Sequence, residues 1–151
     1  MRRRPPRSSY TVMGDAVNLA SRIEALTRHY GVDLLVGEST RDACGNAFQW
    51  LEVDRVRVKG KTAGVTLFTP VPAAAARAPD FEEEMRLWRL ALDACRHQHP
   101  DEAQEHLRVL RERFAGSSFS PLYGQLSQRV EHHRQHPPPA DWDGTHTFDT
   151  K

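Results

Sequence analysis

A chain of 151 residues, 38% hydrophobic and 27% charged, is long enough for one domain or for two small units joined by polar linkers. Its net charge of +1 excludes a general electrostatic attraction to nucleic acid or to a membrane surface. No apolar run approaches the roughly 20 residues needed to span a bilayer. Nor does Met1-Arg2-Arg3-Arg4 open a signal peptide, because it leads into Pro5-Pro6 and not into an apolar core. The two cysteines, Cys44 and Cys95, fall at apolar helical positions far apart in the chain, which favours buried thiols over a disulfide or a metal site. A cytoplasmic location is the expectation for the chain as it stands.

Residues 1–9 are basic and rich in Pro and Ser, a composition that predicts a disordered leader. A nucleic-acid-binding arm is the sharper alternative, weakened by the lack of aromatics among its arginines. Tyr10 to Met13 reads as a short strand, followed by a Gly14-Asp15 turn and a helix for which Asp15 is the N-cap. Ala16, Leu19, Ala20, Ile23, Leu26 and Tyr30 recur at helical spacing and define the buried stripe of that helix. Asn18 and Arg22, four residues apart, share a face off this stripe. An amide and a guanidinium presented together near a helix start suit an anionic oxygen. The plainer reading pairs Arg22 with a surface carboxylate and leaves Asn18 solvated.

Gly31 is placed to end the helix in a left-handed conformation. Val32 to Val36 then reads as a short strand, and Ser39 with Asp42 as a capping arrangement for a brief helix ended by Gly45-Asn46. Phe48 to Lys59 and Val65 to Val71 are β-patterned runs forming an antiparallel hairpin around Gly60-Lys61-Thr62-Ala63-Gly64. By itself a Lys-Gly-Lys loop is an ordinary solvated turn. Residues 72–79, bounded by prolines, predict a linker and a domain boundary.

Beyond the linker the period changes. Phe81, Met85, Trp88, Leu92 and Cys95 make an apolar seam on one helix, Ala103, Leu107, Leu110 and Phe114 on a second, and Phe119, Leu122, Leu126 and Val130 on a third. Residues 80–135 therefore form a small helical unit resembling one tetratricopeptide-type repeat. Two readings stay open for it: a docking module, or a cap packed on the preceding domain. His132, His133 and His136 lack an acidic or cysteine partner at ligand spacing, so solvated histidines are expected and no metal site is assigned. The tail, 136–151, is Pro-led and polar, and disorder is its default.

Three blocks of this chain resemble the class III nucleotide cyclases. They are the string from Tyr10 to Arg22; Tyr30-Gly31-Val32 with Glu38-Ser39-Thr40; and Asp54-Arg55-Val56-Arg57-Val58-Lys59-Gly60-Lys61. The resemblance covers residues 8 to 71, the C-terminal part of a cyclase domain. It implies an α+β fold: a partial ferredoxin-like cyclase domain over 10–71 (strand, helix, strand, helix, hairpin) followed by the helical unit. The tail looks like the closing segment of some bacterial cyclases that carry a membrane sensor domain upstream.

By this resemblance Asn18 and Arg22 fall on the family's two transition-state residues, Lys59 on its triphosphate-binding lysine, and Thr11 on a base-reading position. Threonine or aspartate there accompanies adenylate cyclases, so ATP is the implied substrate and cyclic AMP with pyrophosphate the implied products. The family's metal ion, Mg²⁺ or Mn²⁺, is held by two aspartates from the N-terminal part of the domain, which these blocks do not include. Asp15, Asp33 and Asp54 do not match those motifs. The family's site also forms between two cyclase domains, so a second such domain is the implied partner. A membrane enters only through an upstream region. The expectation is a cyclase fragment inactive alone, the alternative a non-catalytic remnant that binds a protein partner through its helical unit.

Overall fold

The computed structural model describes residues 25–58 and 64–148, and it is a mixed α+β fold. Residues 25–30 form helix α1, which stops where the sequence places the stop. Gly31 adopts φ +70°, its amide donates to the carbonyls of Thr27 and Arg28, and the amide of Val32 reaches back to Thr27 at 3.1 Å. This paired closure leaves the last carbonyls of the helix satisfied. The expected strand over Val32–Val36 shrinks to one antiparallel bridge, Val36 to Phe68. Asp33 and Leu34 face solvent, and the segment is anchored inward by buried Leu35 and partly buried Val32. Helix α2, Glu38–Ala43, is where a brief helix was expected, but Gly37 precedes it and no side chain caps it. The Ser39–Asp42 capping arrangement is absent, and Asp42 instead receives the guanidinium of Arg41 at 2.8 Å.

Strands β1, Trp50–Val58, and β2, Val65–Pro70, pair antiparallel as the hairpin pattern required. The register shifts between Glu52 and Asp54, a bulge at Val53. A bulge sets two consecutive residues towards the same side of the strand. Burial accordingly runs Leu51, Val53 and then Asp54, Val56, with the alternation changing phase at the bulge. Without it Asp54 would follow Glu52 and point away from the core.

Stretch 72–79 opens with a short helix α3, Ala73–Ala76, whose Ala75 and Ala76 pack on the core. Then come α4, Phe81–Arg96, α5, Pro100–Arg113, and α6, Ser120–Gln135. Their seams are those read from the sequence. Phe81, Trp88, Leu92, Cys95, Ala103, Leu107, Leu110, Phe119, Leu122, Leu126 and Val130 are buried, while Met85 and Phe114 are partly so. The helices also meet the sheet. Trp88 donates its indole N–H to the carbonyl of Glu52 at 2.7 Å and packs on the ring of Tyr123 at 5.4 Å. One cluster of buried side chains takes in Leu51 and Val56 of β1, Leu67 of β2, and Trp88, Leu92, Tyr123 and Leu126 of the helices. Each such large apolar side chain contributes roughly 1.5–3 kcal/mol by leaving water.

The tail departs from the disorder its composition suggested. Residues His146–Phe148 form β3, which pairs parallel with β1 through Val56–His146 and Val58–Phe148, giving the sheet order β2-β1-β3. Polar contacts with distant elements hold the approach to it. Asp143 takes the Arg57 guanidinium at 2.8 Å, the amide of Thr145 donates to the Asp143 carboxylate, and the Trp142 indole N–H donates to the carbonyl of Thr145. Gln98 ties Pro139 to the turn between α4 and α5 at 2.9 Å. Gly144 sits at φ +84°, where an added Cβ would lie 2.9 Å from Cγ of Arg96. Gly144→Ala is therefore expected to cost about 1–3 kcal/mol through backbone strain and that clash. Urea unfolding followed by circular dichroism checks it, and an unchanged midpoint would contradict the strap geometry.

Candidate functional site

All four residues assigned from the sequence, Thr11, Asn18, Arg22 and Lys59, lie outside the described residues. The described residues do bring together the stretches that adjoin them in the chain. The described part of helix α1 opens at residue 25, three positions after Arg22 in the chain, and the described part of β1 closes at Val58, next to Lys59 in sequence. The two elements join through a buried polar cluster. Tyr30, at the end of α1, donates its hydroxyl to Oδ2 of Asp54 at 2.5 Å. Arg129 of α6 grips the same carboxylate with both guanidinium nitrogens, at 3.0 Å to Oδ1 and 2.7 Å to Oδ2. The Arg55 amide donates to Oδ1 at 2.8 Å.

Four donors thus satisfy one carboxylate whose side chain is 3% exposed. Burial alone would raise the pKa of Asp54. The Arg129 charge, with the hydrogen bonds from Arg129, Tyr30 and the Arg55 amide, outweighs it and holds the carboxyl below its usual range. Burial and the adjacent Asp54 charge push the Tyr30 phenol well above its ordinary value, so it stays a donor at neutral pH.

Histidines surround this cluster. Burial first, and then the positive Arg129, lower the pKa of His29 and bring His146 of β3 down to about 4. His133 is lowered by burial, Arg129 and His132. At neutral pH these rings are uncharged beside a permanently charged guanidinium.

The open cleft among the described residues does not favour a nucleotide's phosphates. An open cleft of 780 Å³ runs between residues 31–34, 47–49 and 69–73, with Leu34 and Phe48 half exposed in it, and Asp33 is the one charged residue lining it. An acidic, otherwise neutral wall repels an anion. Among the described residues no group of three or more His, Cys, Asp or Glu is arranged to hold a metal ion. Asp54 is not a candidate ligand, because its lone pairs are already taken. The family's divalent metal therefore does not fit the described residues.

Sequence reasoning passed over Arg129 and weighed Asp54 only as a metal ligand. The signal at Asp54 is one of phase: Leu51 and Val53 are followed by Val56 and Val58, so the apolar alternation shifts across Asp54-Arg55. Arg129 lies three residues after Leu126 and beside Val130, on the flank of the α6 stripe. A charge at the margin of an apolar stripe calls for a partner.

Comparison with known proteins supports a region of this chain being related to adenylate cyclases. It is 44% identical over 61 residues to an adenylate cyclase of Anabaena cylindrica, covering 38% of this chain and 12% of that protein. It is 43% identical over 61 residues to the terminal-differentiation-specific adenylate cyclase of Dictyostelium discoideum, again 38% of this chain but 3% of that one. To adenylate cyclase 1 of Rhizobium meliloti (strain 1021) it is 29% identical over 70 residues, 46% of this chain and 10% of the other. The chain thus matches about an eighth or less of the length of these relatives. No family model and no solved structure matches it. No helix among the described residues is long and apolar enough to cross a membrane.

Two outcomes follow from the cluster. Replacing Asp54 with Leu, or Arg129 with Met, should each destabilise the chain by about 3–5 kcal/mol, since each leaves an unpaired buried charge. Combining them should cost less than the sum by about 2 kcal/mol or more. Urea unfolding of the two single variants and the double variant measures this, and strict additivity would mean that the pair does not interact.

The second outcome concerns pH. His146 titrates near 4 in the folded chain and near 6.5 when unfolded, so between those values the unfolded state binds the extra proton. Stability should fall as pH drops through that window, and His146→Gln should flatten the fall. The lowered Asp54 contributes above its unfolded value near 3.8, and its contribution is lost only below that. A wild-type stability curve flat from pH 7 to 4 would contradict the assignment.

Proposed function

We propose that this chain is the part of an adenylate cyclase that supplies transition-state and triphosphate contacts, converting ATP to cyclic AMP and pyrophosphate once a second segment contributes the metal-binding aspartates. The observation carrying this reading is the cross-connection described above. The stretch following Arg22 and the stretch preceding Lys59 are tied at Tyr30 and Asp54 by one 2.5 Å hydrogen bond. A tie between these two stretches supports assigning Arg22 and Lys59 to one nucleotide. The local likeness to three adenylate cyclases supports it.

The reaction is an in-line attack of the ribose 3′-hydroxyl on the α-phosphorus, with pyrophosphate leaving. Catalysis of this kind rests on positioning and on stabilising charge on the phosphate oxygens. Arg22 is assigned to the charge developing at the α-phosphate, and its forked donors suit two of those oxygens. Asn18 orients the ribose, Lys59 holds the terminal phosphates as a point charge, and the Thr11 hydroxyl meets the amino edge of adenine. Mg²⁺ or Mn²⁺ belongs to the aspartates of the other segment, and a second cyclase domain is the natural source of them.

The experiment mixes the full chain with a cyclase domain that supplies the two aspartates and whose own transition-state Asn and Arg are replaced by Ala. With ATP and Mn²⁺, cyclic AMP should form in the mixture and in neither component alone. Arg22→Ala and Asn18→Ala should each lower kcat by about 10²–10³-fold with a modest change in KM, the pattern of donors that act chiefly in the transition state. Turnover by the purified chain alone would overturn the half-site reading, and unchanged rates in both variants would overturn the assigned roles.

A further inference from the structure

Two large hydrophobic side chains among the described residues are exposed, Leu34 at 49% and Phe48 at 53%. Both line the 780 Å³ cleft, together with Val32, Pro70, Val71 and Phe119. Single exposed hydrophobes are ordinary, whereas two that share one apolar cleft mark a binding surface. The cleft lies where β1 begins and β2 ends, at the far end of the hairpin from Val58 and Val65. Phe48 meets the Trp50 ring edge-on at 5.6 Å, which supports it at the cleft wall.

The cleft has a cause in the backbone. Val36 and Phe68 exchange both of their hydrogen bonds, at 2.9 and 2.8 Å. Carried two residues further, that antiparallel register sets Leu34 opposite Pro70, and a proline has no amide to donate. The ladder stops there, and the cleft fills the gap between residues 31–34 and 69–73. Neither the amide nor the carbonyl of Leu34 has a hydrogen-bond partner among the described residues. Such groups take water until a chain with its own amides and carbonyls replaces it. Charge narrows the occupant further. Asp33 is the one charged side chain of the wall, and it is exposed.

We propose that this cleft docks an extended segment of a partner protein that pairs its backbone with Leu34, packs bulky apolar side chains on Leu34 and Phe48, and sets a lysine or arginine at Asp33. The mode is strand addition, in which main-chain bonds hold the segment and alternate side chains select it. An apolar small molecule would leave the Leu34 backbone and Asp33 unanswered, and an acidic segment would meet a like charge. The proposal makes no use of nucleotide chemistry.

The test pans a phage-displayed library of random short peptides against the full chain at neutral pH. Synthetic copies of the enriched peptides are then titrated by fluorescence anisotropy. They should share bulky apolar residues at alternate positions with a lysine or arginine beside them. Phe48→Ser should weaken binding about tenfold or more, the loss of one large apolar contact. Leu34→Ser probes the same wall should Phe48→Ser not fold, with the fold of each variant verified by circular dichroism. Asp33→Asn should weaken binding only about threefold, as befits an exposed ion pair, and should erase the preference for a basic over an acidic peptide residue. Methylating alternate backbone amides of the peptide should weaken binding about tenfold in at least one of the two phases.

The proposal is overturned if the enriched peptides share no pattern, if they are acidic, or if the folded serine variants bind them as the parent does. Indifference to methylation in both phases overturns strand addition. Self-association of the chain in sedimentation velocity that Phe48→Ser abolishes would assign the cleft to a second copy and overturn it as well.

Discussion

The buried ion pair between Asp54 and Arg129 is the constraint on which the arrangement of the other elements depends. Taking two charges out of water costs several kcal/mol per ion, and the attraction between them offsets this only with good geometry and further hydrogen bonds. Here both conditions hold. The guanidinium is bidentate, and the remaining carboxylate lone pairs are taken by the Tyr30 hydroxyl and the Arg55 amide. Three elements far apart in sequence must therefore arrive together, or the charges are left unpaired. Apolar packing tolerates a shift of an ångström more readily than a forked hydrogen-bonded pair does.

The bulge at Val53 and the third strand follow from this demand. Strand β1 has to bury apolar residues and one carboxylate, and strict alternation after Glu52 would send Asp54 outward. The bulge resolves the conflict at the cost of one unpaired ladder position. Strand β1 also lies in the middle of the sheet, with β2 on one side and β3 on the other. Its outward-facing Arg57 meets Asp143, while Arg96 of α4 pairs with Glu52 at 2.7 Å. Glu52, Asp54 and Arg57 of β1 are thus answered one by one by Arg96, Arg129 and Asp143. Without β3 that edge of β1 would present unpaired amides and carbonyls from Val56 to Val58.

Much of this was legible in the sequence, and the failures have a common physical origin. Gly31, the hairpin and the three helical seams were readable because a left-handed stop, a period of two and a period of 3.6 are local signals. The capping pair Ser39 and Asp42 failed because the helix starts at Glu38 with Gly37 at its N-cap, which leaves Ser39 inside the first turn. The tail failed because its order comes from groups it cannot see locally: Arg57, Gln98 and the backbone of β1. Proline and polar residues lower local propensity, but a strand needs only an edge to pair with. Asp54 and Arg129 are each conspicuous alone, yet their pairing across 75 residues is written in no periodicity. Of the site itself, the sequence supplied Thr11, Asn18, Arg22 and Lys59 through resemblance, and those four lie outside the described residues.

The extent of the likeness to adenylate cyclases sharpens the role of the helical unit. Each match covers 38% to 46% of the chain, so more than half of the chain lies outside any one of them. A fragment limited to the three cyclase-like blocks would still contain Tyr30 and Asp54, but it would lack Arg129, leaving a carboxylate in an apolar setting with a phenol and an amide for company. Such a carboxylate takes up a proton or draws in water, and either response loosens the junction of α1 with β1. The acid on β1 and the base on α6 are thus one device divided between two parts of the chain. The junction of α1 with β1 is completed by a side chain from the helices that follow it.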